Sequence, residues 1–357
     1  MKINSNSTAV ILTACAIVFC LFTFCYTYFY QSDVLMADQH VLSGGQTKYY
    51  PLTGAILITV VLQILQLLVR AVFRLYKSGH ALTYLPSLLA LAVITSGGKD
   101  IDKHFTFGSW WWIVPLLLIA FVFAAIVLRE VQEVEKPIKG PLLFSRCMWV
   151  NMLTLFVMFF LVGVAGNSDK VFHERMKVER LLLENKPEEA LNVGRQSYDT
   201  DSCLTLLRMH ALAKTNQLGE RLFEYPIVGG AAAMKPNGNN VRTLMYPAKA
   251  ILVQQKKSTV DYQLCAHLLN KDLKAFVALL SKSYSYDKPL PKHYKEALYL
   301  YGVLTPNAQY KLHDNAMAAD YADFKKLKQQ TTDKDARQAL VRDVFGKTYW
   351  YYFFYKE

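Results

Sequence analysis

Long uninterrupted apolar runs fill the chain up to Gly166, and shorter amphipathic stretches fill the rest. A helix needs about 20 apolar residues to cross a hydrocarbon core. The first run, 8–30, carries no charge and ends in aromatic residues from Phe22 to Tyr30, as a membrane–water boundary favours. The second, 51–69, is closed by Arg70 and Arg74, and the third, 81–94, contains Pro86 and spans only 14 positions. The fourth, 110–128, opens on Trp110, Trp111 and Trp112, and the fifth, 142–164, is interrupted only by Arg146 and Asn151. The pattern predicts five membrane-spanning helices at about 8–30, 51–69, 81–95, 110–128 and 142–164. Leu12-Thr13-Ala14-Cys15 resembles a lipoprotein cleavage box, but the apolar stretch runs well past Cys15. An uncleaved first helix is therefore expected.

From Asp169 onward the apolar spacing is helical and broken by turn residues. Helices are predicted over 169–185, 187–197, 203–214, 218–224, 247–257, 260–269, 272–281, 291–304, 307–329 and 335–345, with a loop at 229–240. Pro187 suits a first helical turn, and Asp199, Asp201 and Ser202 supply cap-type residues. The expected fold class is all-α. A transmembrane bundle over 1–167 precedes a soluble helical domain over 168–357. The aromatic ending, Tyr349 to Tyr355, is too short to span and is expected to pack on the preceding helix or rest at a bilayer interface.

The net charge of +12 raises the possibility of nucleic acid. Its distribution argues otherwise. The loops after runs two and four hold Arg70, Arg74 and Lys77, then Arg129, Lys136, Lys139 and Arg146. The loop after run one has only Lys48, and the loop after run three only Lys99 and Lys103. Positive loops stay in the cytoplasm. Five crossings then put the N-terminus in the cytoplasm and the C-terminal domain outside. Beyond Gly166 the basic residues are spread along helices without a dense block, so no nucleic-acid partner is expected.

Candidate chemistry is sparse. No Asp, Glu or Lys lies at the centre of an apolar run, which disfavours ion-coupled transport. Gln63, Gln66 and Asn151 are expected to bond neighbouring helices. Gly346-Lys347-Thr348 lacks the upstream glycine of a phosphate loop, Val341 standing in its place. Asp100–Asp102 and Asp199–Asp201 have the spacing of a metal-binding acid pair, but the second pair sits where a helix cap is wanted. His173, His210, His267, His293 and His313 have no partner at i+4 and are expected at the surface or in turns. Cys203 and Cys265 could pair in an oxidising compartment. No catalytic, cofactor-binding or metal residue is assigned, and no cofactor is expected.

The stretch Leu181-Leu182-Leu183-Glu184-Asn185-Lys186-Pro187-Glu188-Glu189-Ala190-Leu191 resembles the turn and second helix of a tetratricopeptide repeat. A similar turn recurs at Asn216-Gln217-Leu218-Gly219-Glu220, although Arg221 stands where Ala190 does. Three further stretches carry a wider likeness: Leu268 to Phe276, Pro289 to Leu298, and Gly346 to Tyr352. With these, residues 169–357 resemble uncharacterised multipass membrane proteins of Bacteroidetes with a tetratricopeptide-like tail. The resemblance implies a Gram-negative inner membrane with the tail in the periplasm. Two functional classes follow. One is a membrane-anchored helical-repeat module binding another envelope protein. The other is a membrane enzyme or transport subunit for a lipid-linked or envelope substrate, its outer loops presenting Asp33, Asp38, His40, Asp100, Asp102 or His104. A purely structural membrane spacer would show neither cavity nor groove.

Overall fold

The computed structural model describes residues 3–75, 77–98, 108–131, 145–236, 241–284, 289–305, 312–330 and 333–356. All regular structure among them is helical. The chain divides into two compact units, Met1–His173 and Glu174–Glu357.

The first unit begins with α1 (Ile3–Cys25), which continues into one wide π turn, Tyr26–Tyr30. Then come α2 (Ser32–Leu42), α3 (Pro51–Phe73), a 3-10 stretch (Lys77–Tyr84), α4 (Leu85–Ile94), α5 (Trp110–Val131) and α6 (Arg146–Ala165). Pro51 opens α3, where its missing N–H costs no bond, and Arg74 ends it in the left-handed conformation. The Ser145 hydroxyl accepts from the Met148 N–H to start α6. Among the described residues, four helices are long and apolar enough to cross a membrane: Ala9–Tyr30, Pro51–Phe73, Trp110–Arg129 and Arg146–Ala165. Most of their surface is exposed and apolar, suited to lipid rather than water.

The third apolar run has a different build. A 3-10 helix that begins at Lys77 winds its first positions, 81–84, and Pro86 stands in the first turn of α4. The apolar helix Ser78–Ile94 falls short of the length of the other four. The tighter winding compensates. A 3-10 helix rises about 2.0 Å per residue against about 1.5 Å for an α-helix. Laid end to end, the two pieces reach about 31 Å, close to the roughly 30 Å of a hydrocarbon core.

Side-chain bonds fix the directions of these helices. Tyr26 Oη donates to Val162 O at 3.3 Å and Gln31 Nε2 to Asn167 O at 3.0 Å, a constant offset, so α1 and α6 run parallel. Asn151 Oδ1 accepts from Ala81 N–H at 2.7 Å and Asn167 Nδ2 donates to Gly97 O, again at one offset, so the 3-10/α4 stretch runs parallel to α6. Gln66 Nε2 donates to Thr83 Oγ1 at 2.9 Å and Ser87 Oγ to Leu62 O at 2.9 Å. As one number rises the other falls, so α3 runs antiparallel to it. Gln63, Gln66 and Asn151 thus all bond within or between packed helices. Hydroxyls with no such partner return to their own helix, as Thr59 does to Ala55 O at 2.7 Å.

The second unit follows α7 (Lys170–Leu183) with α8 (Pro187–Asn192), α9 (Ser202–Lys214) and α10 (Leu218–Arg221). After them come α11 (Ala248–Lys257), α12 (Thr259–Leu269), α13 (Leu273–Ser283), α14 (Lys292–Leu304), α15 (Asn315–Gln329), α16 (Lys334–Phe345) and α17 (Tyr349–Tyr355). Three helix ends share one design. Asn185, Asn216 and Lys271 adopt φ of 57°, 55° and 58°. Each turn donates one N–H back three residues and the next N–H back five, as at Asn185→Leu182 O and Lys186→Leu181 O. The α9 helix is buried all round from Cys203 to Ala213 and forms the centre of this unit.

The aromatic ending packs inward. Thr348 caps α17, and the Tyr349 N–H and Trp350 Nε1 both donate to Glu296 of α14, at 2.7 and 2.9 Å. Tyr349 to Tyr352 are buried, with Phe223 against the rings of Tyr349 and Tyr352.

Several boundaries differ from the sequence reading. The helix expected over 187–197 stops at Asn192, because Gly194 takes φ 61° where a Cβ would overlap the Glu174 carboxylate. The loop expected at 229–240 contains a 3-10 turn, Gly230–Met234. The helix expected from 307 starts at Asn315, capped by Asp314, and 306–311 lie outside the described residues. Asn151→Leu leaves the buried Ala81 N–H without its acceptor. The full chain in detergent micelles should lose about 1–3 kcal/mol of unfolding free energy. An unchanged denaturation midpoint would show that this bond does not hold the 3-10 stretch.

Candidate functional site

Among the described residues, two regions that gather polar side chains bear on a candidate site. The first lies at one end of the membrane unit. The Asn167 N–H donates to Thr95 O at 2.7 Å, and its Nδ2 donates to Gly97 O. Its carbonyl accepts from Gln31 Nε2 and from His173 Nε2, each at 3.0 Å. Gln31 Nε2 also reaches the Tyr26 hydroxyl at 3.1 Å. The chain passes this point at Gly166, where any Cβ would overlap that hydroxyl.

Beside this knot stands α2, bearing Asp33, Asp38 and His40. Asp33 and His40 share a face but stand two turns apart, about 10.5 Å along the axis, and Asp38 points to another side, so the three do not converge. Asp38 is buried against Gly97, and that burial pushes its carboxyl up to about 7. His40 lies instead against the Gly45 turn. Asp100, Asp102 and His104 lie outside the described residues. Among the described residues no group of three His, Cys, Asp or Glu side chains could hold a metal.

The second region is the start of the tail. Arg208 of α9 is only 2% exposed, and its Nη2 donates to Glu174 Oε2, Val193 O and Gly194 O, each at 3.3 Å. Its guanidinium lies 5.5 Å from the Tyr225 ring centroid. Glu179 is fully buried and accepts from the N–H groups of Leu244, Met245 and Tyr246. Arg175 lies 3.7 Å from Glu179 and 4.0 Å from Asp201. These charges bind irregular backbone to α7 and α9, and their hydrogen bonds make the burial tolerable.

Outside this buried layer, the last turns of α7 face α8 across an open cleft of about 360 Å³. The α7 side contributes Lys177, Arg180, Leu181 and Glu184, spaced by three and four as one helix face requires. The α8 side contributes Lys186, Glu189, Asn192 and Val193. Lys186 is held by Glu184 at 3.1 Å and Glu189 at 4.0 Å. Neither Lys177 nor Arg180 has a side-chain hydrogen bond or ion pair among the described residues, and Arg180 Nε is buried without an acceptor. No motif search would single out this cleft. Its only trace in the sequence is the 177–180–181–184 spacing, which reads equally well as a solvated helix face.

Other expected site residues resolve into structural roles. Asp201 caps α9, accepting from the Leu204 N–H at 2.6 Å, and Thr348 of the Gly346-Lys347-Thr348 stretch caps α17. Cys203 and Cys265 are buried and unbridged, beside the Arg242 N–H and the Tyr294 hydroxyl respectively. Two histidines expected at the surface are instead core groups. His293 Nδ1 donates to Glu296 Oε2 at 2.9 Å, while its Nε2 accepts the Phe223 N–H at 3.2 Å. His210, 1% exposed, bonds the Tyr246 hydroxyl at 2.9 Å. Helical periodicity does not distinguish a histidine bonded inside the core from one facing water.

Burial, helped by nearby Lys214, lowers the His210 imidazole to about 4. In the unfolded chain it titrates near about 6.5. The folded state therefore holds His210 neutral, and stability present above pH ~6.5 is lost as pH falls toward ~4, by up to about 3 kcal/mol. The stability advantage of the wild type over His210→Gln should shrink across that window in thermal melts of the full chain. A pH-independent gap would contradict this assignment.

Comparison with known proteins adds one match. A model described as a family of unknown function, DUF6057, matches residues 251–356, covering most of α11 and all of α12 to α17. No curated protein and no solved structure matches the chain. Part of the tail is therefore similar to that family, and the apolar helices before it suggest membrane association.

Proposed function

We propose that this protein is a membrane-anchored interaction module. Five apolar crossings hold a helical-hairpin tail on the outer face of a Gram-negative inner membrane, where the tail binds another envelope protein. The observation that carries the topology is the knot around Asn167. It gathers the C-terminal ends of the first, third and fifth apolar runs, at Gln31, Thr95–Gly97 and Asn167. Three helix ends held together lie on one side of a bilayer. The returning α3, antiparallel to the 3-10/α4 stretch, fits an alternating path that includes the short third run. The Lys and Arg residues of the loops after runs two and four favour the cytoplasm for the opposite side.

The interaction reading rests on the tail. Its recurring helix–turn–helix ends are those of stacked hairpins, an architecture that offers grooves to peptides and proteins. The α7–α8 cleft is such a groove. The membrane-enzyme reading draws less support, because Asp33, Asp38 and His40 do not converge.

Reporter fusions at the C-terminus test the topology. An alkaline phosphatase fusion should be active and a green fluorescent protein fusion dark. The reverse result would place the tail in the cytoplasm and sink the periplasmic assignment.

A further inference from the structure

The α7–α8 cleft carries two cations that the fold does not use. Lys177 and Arg180 sit three residues apart on α7, close enough to repel each other, and neither has an acceptor among the described residues. Other cations of this unit have counter-charges. Arg208 Nη2 meets a carboxylate and two carbonyls, and Lys186 on the opposite wall is already neutralised by Glu184 and Glu189. Arg180 is half-buried and Lys177 exposed, and both line the open cleft rather than a sealed core.

The remaining lining narrows the ligand. An arginine fork takes both oxygens of a carboxylate, and Lys177 adds a point charge beside it. Glu184 and Glu189 leave the cleft with a small positive excess, enough for one negative charge and unfavourable to a phosphate dianion. Leu181 and Val193 supply apolar wall, and the Asn192 amide can both donate to and accept from a peptide group. The volume, about 360 Å³, lies at the small end of ligand sites, which run from about 300 to 1,000 Å³. We infer that this cleft binds a short acidic peptide segment of a partner protein, its carboxylate held between Lys177 and Arg180 and a neighbouring apolar side chain set against Leu181 and Val193. This rests on reading the tail as an interaction domain.

The test uses the full chain in detergent micelles and fluorescein-labelled heptapeptides of sequence Ser-Ala-Leu-Glu-Leu-Ala-Ser, read by fluorescence anisotropy. Two control peptides replace Glu with Gln or with phosphoserine. The Glu peptide should bind at least about tenfold tighter than the Gln peptide and tighter than the phosphoserine peptide. Arg180→Gln and Lys177→Gln should each weaken it about tenfold while melting as the wild type does, with Arg180→Lys in between. Raising salt should weaken binding further. Equal binding of the Glu and Gln peptides, no binding by either, preference for the phosphoserine peptide, or indifference to both substitutions overturns the assignment. Affinity purification from membranes separates this from the broader reading. If the same envelope protein is retained by wild type and Arg180→Gln while no peptide binds, the cleft assignment falls and the interaction reading stands. If the Glu peptide binds as expected but no envelope protein is retained, the broader reading falls instead.

Discussion

The backbone and side chain of Asn167 satisfy four polar partners at once: Thr95 O, Gly97 O, Gln31 Nε2 and His173 Nε2. Thr95 O and Gly97 O lie at and beyond the end of α4, where no intrahelical donor reaches them, and Asn167 supplies the missing donors. Gly166 lets the chain pass close enough for this to happen. The directions of α1, the 3-10/α4 stretch and α6 follow from that one junction together with the Asn151–Ala81 bond farther along. Between these points the packing is carried by apolar side chains such as Phe19, Tyr84, Leu91 and Leu155, which are complementary in shape but carry little directional information.

The same logic operates with charges in the tail. Glu179 does for the 244–246 backbone what Asn167 does for the helix ends of the membrane unit. It supplies acceptors to N–H groups that no regular structure pairs. Arg208 plays the reciprocal part for the carbonyls of Val193 and Gly194. Full ionic side chains serve here because neighbouring opposite charges offset the cost of desolvation. The membrane unit uses amides and hydroxyls for the equivalent task, where an unpaired ion would be far more costly. Lys177 and Arg180 stand apart from these paired charges, and both line one cleft.

Much of the architecture was legible along the chain. Four of the five apolar runs became long apolar helices, because length and hydropathy alone decide whether a helix can cover a hydrocarbon core. The expected tail helices other than the one at 307–329 start within a few residues of their expected positions, since Pro187, Asp201 and Asp272 act at helix starts through local bonds. The misreadings came where a distant group intervened. The α8 helix ends early because Glu174 occupies the space beside Gly194, and His210 and His293 turn inward because Tyr246, Glu296 and the Phe223 N–H receive them.

The sequence by itself determined the all-helical class and the contrast between an apolar first half and an amphipathic second half. Those properties depend on composition and on contacts within a few residues. Only the tertiary structure decided how the third run is wound, which helix ends meet at Asn167, and which cations are left without partners. Such features arise from pairs of groups separated by as many as 136 positions, as between Gln31 and Asn167. A periodic pattern records which face of a helix is apolar. It does not record what that face will meet.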